Sequence, residues 1–497
     1  MTEYSYLSMR GVSKYYPLSG VHANVQVDFN VEKGEIHALV GENGAGKTTL
    51  VKILNGIEKP DSGEIIFNGH TISLNSPLDA EKFNIGMVHQ HFRLFKEFTV
   101  AQNIVMGKEP VKGLLFNNKK AEKDTRVIIE ENNFNISPNT KVADLSISQM
   151  QQAEILRILY NKADLLVLDE PTSVLTEQEV KKLFITLRKL RDLGKTIILI
   201  THKLSEVMDI SDRITIMRKG RNVAVMKTNE VLEGDLSKLM VGREISTCYE
   251  KNELIESRPV LEIKNISLEK KGQEEFILKN LSFTVTTGEI VGITGAAGNG
   301  LRELEDIISG FLQPTSGNIL HDQEDITHFS IKELRQRGFS YVPADRLHRG
   351  ASLESSVTEN FMVTDDGNKG KINELLERYG VEASADAQIG TLSGGNIQKV
   401  ILGRELELAK DIVLFSEPAW GLDIISSEYI YRKILDMRSS GAAVILISSN
   451  LDEILKLSDR IIVMYRGKIV SKHDNVEMNK EILGEYMLGL KDDFFEN

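Results

Sequence analysis

Residues 41–49 read GENGAGKTT, and the run Ile36-His37-Ala38-Leu39-Val40 leads directly into them. The first eight of these residues fit the pattern G-x-x-x-x-G-K-[ST], in which a strand enters a glycine-rich turn and leaves as a helix. Such a turn lets backbone amides point inward around phosphate oxygens. The helix behind it adds the positive end of its dipole. Gly41, Glu42, Asn43, Gly44, Ala45, Gly46, Lys47, Thr48 and Thr49 are therefore expected to bind a nucleotide. Lys47 would neutralise the β- and γ-phosphates, and Thr48 would ligate Mg²⁺ through its hydroxyl.

The same text returns later in the chain. KGEIHALVGENGAGKTTL is matched by TGEIVGITGAAGNGLREL, with Gly295 standing 254 residues after Gly41. DLLVLDEPTSVL is matched by DIVLFSEPAWGL, and ISDRITIMRKGRNV by LSDRIIVMYRGKIV. Leu392 follows Leu145, and Glu417 follows Glu170, by 247 residues in each case. Four matched segments in one order mean two tandem domains of one fold. The boundaries read as a first domain over 1–245, a polar and charged linker over 246–258, and a second domain over 259–497. The runs at 36–40, 165–168 and 197–200 are apolar without alternation, which suits strands of a parallel sheet buried on both faces. Residues placed just after such strands lie where open α/β sheets bind ligands. Between residues 102 and 137 the pattern turns helical and polar, as expected of a separate helical part.

Two more segments carry chemistry in the first half. Asp169 ends an apolar strand, where a carboxylate can hold Mg²⁺ directly or through water. Glu170 follows it and can polarise the attacking water as a general base. His202 follows ILIT, 32 residues beyond Glu170, and would contact the γ-phosphate and that water.

Composition narrows the class. The chain has 497 residues, 41% hydrophobic and 27% charged, a soluble balance with room for two or three domains. No apolar run approaches the ~20 residues that span a bilayer. The opening MTEYSYLSMRGVSKYY lacks the apolar core of a signal peptide, so a cytosolic protein is expected. The single cysteine, Cys248, excludes a disulfide framework or a Cys-rich metal module. A net charge of -12 argues against a nucleic-acid partner. The short basic cluster Asn117-Asn118-Lys119-Lys120 reads as a solvated helix start.

The order phosphate loop, Gln90, signature, LLVLDEP, His202 resembles the nucleotide-binding domain of ABC ATPases, and the resemblance covers the whole chain. The tandem layout is similar to that of the double-domain ATPase subunits of bacterial importers for sugars and nucleosides. The resemblance implies an α/β fold with two tandem P-loop NTPase domains of ABC type. Each would have a mainly parallel sheet core, an antiparallel β part and a helical subdomain. It implies ATP and Mg²⁺ as ligands and two integral-membrane permease subunits as partners, with a substrate-binding lipoprotein acting indirectly. It also places the protein at the cytoplasmic face of the membrane. The helical parts, roughly 91–150 and 345–391, would carry grooves for the permeases' coupling helices. In this family Gln90 links the γ-phosphate and Mg²⁺ to the membrane partner, and Tyr16, or more weakly Tyr15, would stack on adenine. The wording GMVHQHFRLFKEFTVAQNIVMG at 86–107 is closer to the nucleoside branch than to the ribose or galactose branch.

The family pairs its domains head to tail, so that each ATP lies between one domain's phosphate loop and the other's signature. One composite site here would be complete. It joins residues 41–49, Gln90, Asp169, Glu170 and His202 to Ser393, Gly394, Gly395 and Asp423. The other would be degenerate. Leu301 and Arg302 replace lysine and threonine, Ala344 the glutamine, Ser416 the metal-side aspartate and Ser449 the histidine. Lys270 replaces the stacking aromatic, and the opposing signature LSISQ carries Ile147 and Ser148 in place of glycines, with Thr176 in place of Asp423. Loss of the lysine and metal ligands removes the charges that stabilise phosphoryl transfer. The alternative class, a soluble tandem ABC ATPase acting on ribosomes, usually has two good sites, a long charged linker and basic character.

Overall fold

The computed structural model describes residues 6–17, 20–90, 92–113, 115–132, 134–173, 175, 177–242, 251, 257–270, 276–296, 298–363, 370–408, 411–476 and 478–494. The chain divides into two compact units, Met1–Ile245 and Ser246–Asn497.

The first unit is built on a six-stranded sheet. Its strands run in the order Arg221–Lys227, Arg213–Arg218, Ile36–Gly41, Thr196–Ile200, Leu165–Asp169 and Ile85–Val88. Only the pairing of Arg221–Lys227 with its neighbour is antiparallel. Every residue of the three strands Ile36–Gly41, Leu165–Asp169 and Thr196–Ile200 is buried, as their unbroken apolar runs predict. Burying one such Leu, Ile or Val side chain contributes roughly 1.5–3 kcal/mol. A four-stranded antiparallel sheet, ordered Val21–Val31, Leu7–Tyr16, Ser62–Phe67 and His70–Ile72, makes the second layer. The helix Lys47–Leu54 packs its Leu50, Val51, Ile53 and Leu54 into the core these two sheets share.

The second unit repeats this design. Its six-stranded sheet runs Phe339–Val342, Ile412–Ser416, Ala443–Ile447, Ile290–Gly295, Arg460–Tyr465 and Lys468–Asp474, and a four-stranded antiparallel sheet accompanies it.

Two expectations are refined. The stretch 102–137 is not helical throughout. A short hairpin, Val111–Lys112 with Leu115–Phe116, interrupts it before the helix Asn118–Glu131, because Gly113 turns the chain at φ 67°. Within 246–258, Lys251 belongs to the second unit. Its Nζ donates to the carbonyl of Ser458 at 2.6 Å and pairs with Asp459 at 3.5 Å. Residue 248 and Thr176 lie outside the described residues.

Candidate active site

In the first unit the loop turns at Gly44 and Gly46, with φ of 79° and 97°. Gly46 has no alternative there, since a Cβ would sit 2.1 Å from the carbonyl oxygen of Ala23. Gly46 also caps the helix Lys47–Leu54 without a side-chain hydrogen bond, which leaves the first amides of that helix for a ligand. Buried Asn24 braces the turn through Nδ2, which donates to the Gly46 carbonyl at 3.1 Å. Lys47 is buried, and its Nζ donates to the carbonyls of Gly41 at 2.7 Å and Glu42 at 2.9 Å. Asn43, Gly44 and Thr48 are exposed, Thr49 is half-buried and Ala45 is buried.

Glu170 is the centre of a hydrogen-bonded group of three side chains. It follows the strand in the left-handed region at φ 48°, a conformation that a bulky residue adopts at some energetic expense. The hydrogen bond from its N–H to the Ile200 carbonyl, 2.9 Å, holds it there. The carboxylate then meets Gln90 on one side, whose Nε2 donates to Oε2 at 2.8 Å, and His202 Nδ1 on the other, 3.2 Å from Oε1. Burial pushes its pKa up, but the His202 hydrogen bond and the charges of Lys47 and Lys203 outweigh burial and hold it below the usual glutamate range. Glu170 is thus ionised at neutral pH, as a base must be.

Asp169 behaves oppositely. Burial first, and the neighbouring Glu170 charge second, push it up to about 6 despite Lys47 and Lys52. Two adjacent carboxylates in a buried pocket form a donor set short of positive charge. With the exposed Thr48 hydroxyl at the helix start, it fits a divalent cation.

A bracing network escaped the sequence reading. Glu206 accepts from Thr172 Oγ1 at 2.7 Å and Thr201 Oγ1 at 3.2 Å, and pairs with Lys203 at 3.1 Å. It ties the turn after Glu170 to the turn that carries His202. The signal was present in the repeat, because Glu453 stands 247 residues later and accepts from Ser448 in the same way.

The two tyrosines expected near adenine part company. Tyr15, not Tyr16, lines an open hollow of about 440 Å³ with Ser13, His22, Asn24 and Arg221. The Tyr15 ring packs against His22 in a tilted pair, with centroids 4.5 Å apart. Tyr16 is half-buried, with the Lys14 ammonium 5.6 Å from its ring centroid. Side chains alternate along a strand, so neighbouring tyrosines face opposite ways.

The second unit keeps the backbone of this site and its glutamate but loses the lysine, the aspartate and the histidine. Gly298 and Gly300 turn at φ 84° and 94°, and Glu417 sits in the left-handed region at 41°, just as in the first unit. Leu301 stands where Lys47 does. Ser416 Oγ instead donates to Glu305 at 2.7 Å, and the Tyr341 hydroxyl donates to the other oxygen of Glu305. The counterpart of Glu305 in the first unit is Val51, a core residue. A buried carboxylate held by two hydroxyls thus replaces apolar packing beneath the degenerate loop. Glu417 is held by the backbone N–H of Ser449 at 2.7 Å, and burial pushes its pKa up. Ala344 brings no side-chain amide, and Lys270 is exposed. Ser416→Ala leaves Glu305 buried with one donor fewer. It is expected to destabilise the second unit by about 1–3 kcal/mol, measured by denaturant unfolding, without changing ATP turnover.

The signatures differ too. In the first unit, Ser146 and Gln149 form a reciprocal capping box at the start of Ile147–Tyr160, and Ile147 projects into solvent. In the second, Ser393 and Gly394 are exposed at the start of Gly394–Leu408. Asn396, at the position of Gln149, turns away and accepts from the N–H of Glu382 at 3.1 Å. Asp423 caps the next helix by accepting from the N–H of Ser426 at 2.8 Å.

A phosphate loop with a buried lysine, a metal-fitting aspartate and an ionised glutamate at strand ends together define a P-loop ATPase. A family model described as ABC transporter matches residues 25–173 and 278–420. The chain belongs to the ABC transporter family, and it is an ATP-binding ATPase with two such domains. Among its relatives, the nucleoside import ATP-binding protein NupA of Lactococcus lactis is 39% identical over 94% of this chain and 95% of its own length. The guanosine import ATP-binding protein NupO of Bacillus subtilis is 38% identical over 97% of each. The glucose import ATP-binding protein TsgD13 of Haloferax volcanii is 38% identical over 98% of this chain and 96% of its own. A solved structure titled RNase-L Inhibitor is 21% identical, with a TM-score of 0.64 over 97% of this chain and 93% of that one, a likeness of fold alone. No helix among the described residues is long and apolar enough to cross a membrane.

Proposed function

We propose that this chain is the energy-coupling ATPase of a membrane importer for nucleosides or simple sugars, with a single hydrolytic site. The observation that carries the one-site reading is the division of parts. Lys47, Gln90, Asp169 and His202 have no like residue in the second unit, which keeps of this set only a glutamate, Glu417, and an open glycine signature at Ser393, Gly394 and Gly395 stands only in the second. Head-to-tail pairing would bring these parts to one ATP, with Mg²⁺ on Thr48, Asp169 and Gln90. Glu170 would take the proton of the attacking water, and His202 would orient both. Lys47 would move from its carbonyl partners to the phosphates. Adenine would stack on Tyr16, or on Tyr15 in the hollow beside the loop.

Relatives whose names state nucleoside, guanosine and glucose import, alike over nearly the whole chain, support the importer. So do exposed apolar side chains on the helical part of the first unit. Phe95 and Phe98 stack there at 5.6 Å and are exposed, as are Val111, Leu115 and Phe116. Exposed apolar side chains of this kind suit contact with the coupling helix of an integral-membrane permease. Two permeases at the cytoplasmic face, fed by a binding lipoprotein, complete the assembly. ATP binding would close the units and hydrolysis would reopen them, driving alternating access.

Co-expression with the membrane subunits encoded beside the gene tests this reading. The complex should co-purify, and in vesicles it should couple ATP hydrolysis to uptake of radiolabelled nucleoside or ribose, whichever branch it serves. A chain that joins no membrane subunit would sink the importer.

A further inference from the structure

Arg346 lies at the mouth of the second unit's signature and has no part in the chemistry described above. It begins a short π-helical turn, Arg346–Gly350, two residues after the position where Ala344 replaces the glutamine. Its guanidinium reaches two other loops. Nη1 donates to the carbonyl of Gly394 at 3.4 Å, in the signature, and Nη2 donates to the carbonyl of Trp420, in the loop that leads to Asp423. The packing is close, since a Cβ on Gly394 would lie 3.2 Å from Nη1 and one on Gly421 would lie 3.6 Å from Nη2. Among the described residues no carboxylate pairs with Arg346. Burial lowers its pKa from the usual arginine value. Among the described residues the cation is therefore held by the two backbone carbonyls alone, beside helix-start amides.

We propose that Arg346 is a positioning residue for ATP hydrolysis: its planar fork fastens the signature at Ser393, Gly394 and Gly395 to the loop at 420–423. The proposal rests on the head-to-tail reading above, in which these two loops face the ATP held by Lys47. A lysine cannot replace the fork, because a single ammonium on a flexible stem does not span two carbonyls in fixed directions. The alternative role, support for the fold of the second unit alone, makes a different prediction about rescue.

The test compares Arg346→Ala, Arg346→Lys and Gly394→Asp in the full chain. Turnover is measured beside the affinity for ATP, which Lys47 and its loop supply. Arg346→Ala should lower kcat by about tenfold to a hundredfold with the ATP dissociation constant unchanged. Arg346→Lys should behave like Arg346→Ala, and millimolar guanidinium ion should restore part of the lost kcat in Arg346→Ala. Trp420, the only tryptophan of the chain and half exposed, gives a second readout. Its emission should change when ATP is added to the parent and respond less in Arg346→Ala. If Arg346→Ala turns over within about twofold of the parent while Gly394→Asp is inactive, the role of Arg346 is overturned and the pairing stands. If Gly394→Asp is also active, the pairing itself fails. Loss of turnover that guanidinium does not restore would assign Arg346 to folding and overturn the proposal.

Discussion

Glu170→Gln should lower ATP turnover by about a hundredfold to ten-thousandfold, whereas Glu417→Gln should leave it within about twofold. The two glutamates stand at matched strand ends, in the same left-handed backbone conformation, so position does not separate them. Environment does. Glu170 is flanked by Gln90 and His202, and the charge of Lys47 helps keep it ionised. Glu417 faces Ser448 and Ser449, its pKa is pushed up by burial, and the Glu305 carboxylate raises it further. The amide in Glu170→Gln can still accept from Gln90, so the variant should fold and bind ATP while losing the base. Single-turnover and steady-state ATPase measurements on both variants decide the matter. Equal damage from both would overturn the one-site reading.

Asp169→Asn should make the first unit more stable at pH 7.5 while removing activity. The folded chain holds the Asp169 proton up to about pH 6, against 3.8 for an ordinary aspartate. With the folded pKa raised, the stability from this group is full below the unfolded value and is lost as pH rises through about 6. At neutral pH the parent therefore keeps a buried charge that the folded state disfavours, by up to about 3 kcal/mol. Asparagine removes that charge. Without nucleotide, the variant should melt about 5–10 °C higher at pH 7.5, and the difference should vanish near pH 4. Adding Mg²⁺ and ATP should stabilise the parent far more than the variant, since a ligand stabilises only what it binds. Calorimetry across this pH range is the measurement. A variant less stable than the parent at pH 7.5 would show that Asp169 is held by favourable contacts rather than poised for a cation.

Much of this was legible in the amino-acid order because it is local. The phosphate loop is one short segment, and its strand and helix follow from an apolar run and the residues beside it. The tandem fold was legible because the text repeats. The carboxylate pair was legible because adjacent residues end one buried strand. The hairpin at 111–116 was not, since two-residue strands carry no periodic signal.

The sequence by itself determined two α/β units of one design, an intact phosphate loop in one and an open signature in the other. Only the tertiary structure decided what surrounds each reactive group. Gln90 meets Glu170 across 80 residues, and Ser416 meets Glu305 across 111. It was the fold that put Tyr15 rather than Tyr16 on the hollow and brought Arg346 to the signature. Backbone form follows from neighbours in the chain, so sequence carries it. Charge balance and hydrogen bonding depend on groups that only packing brings together.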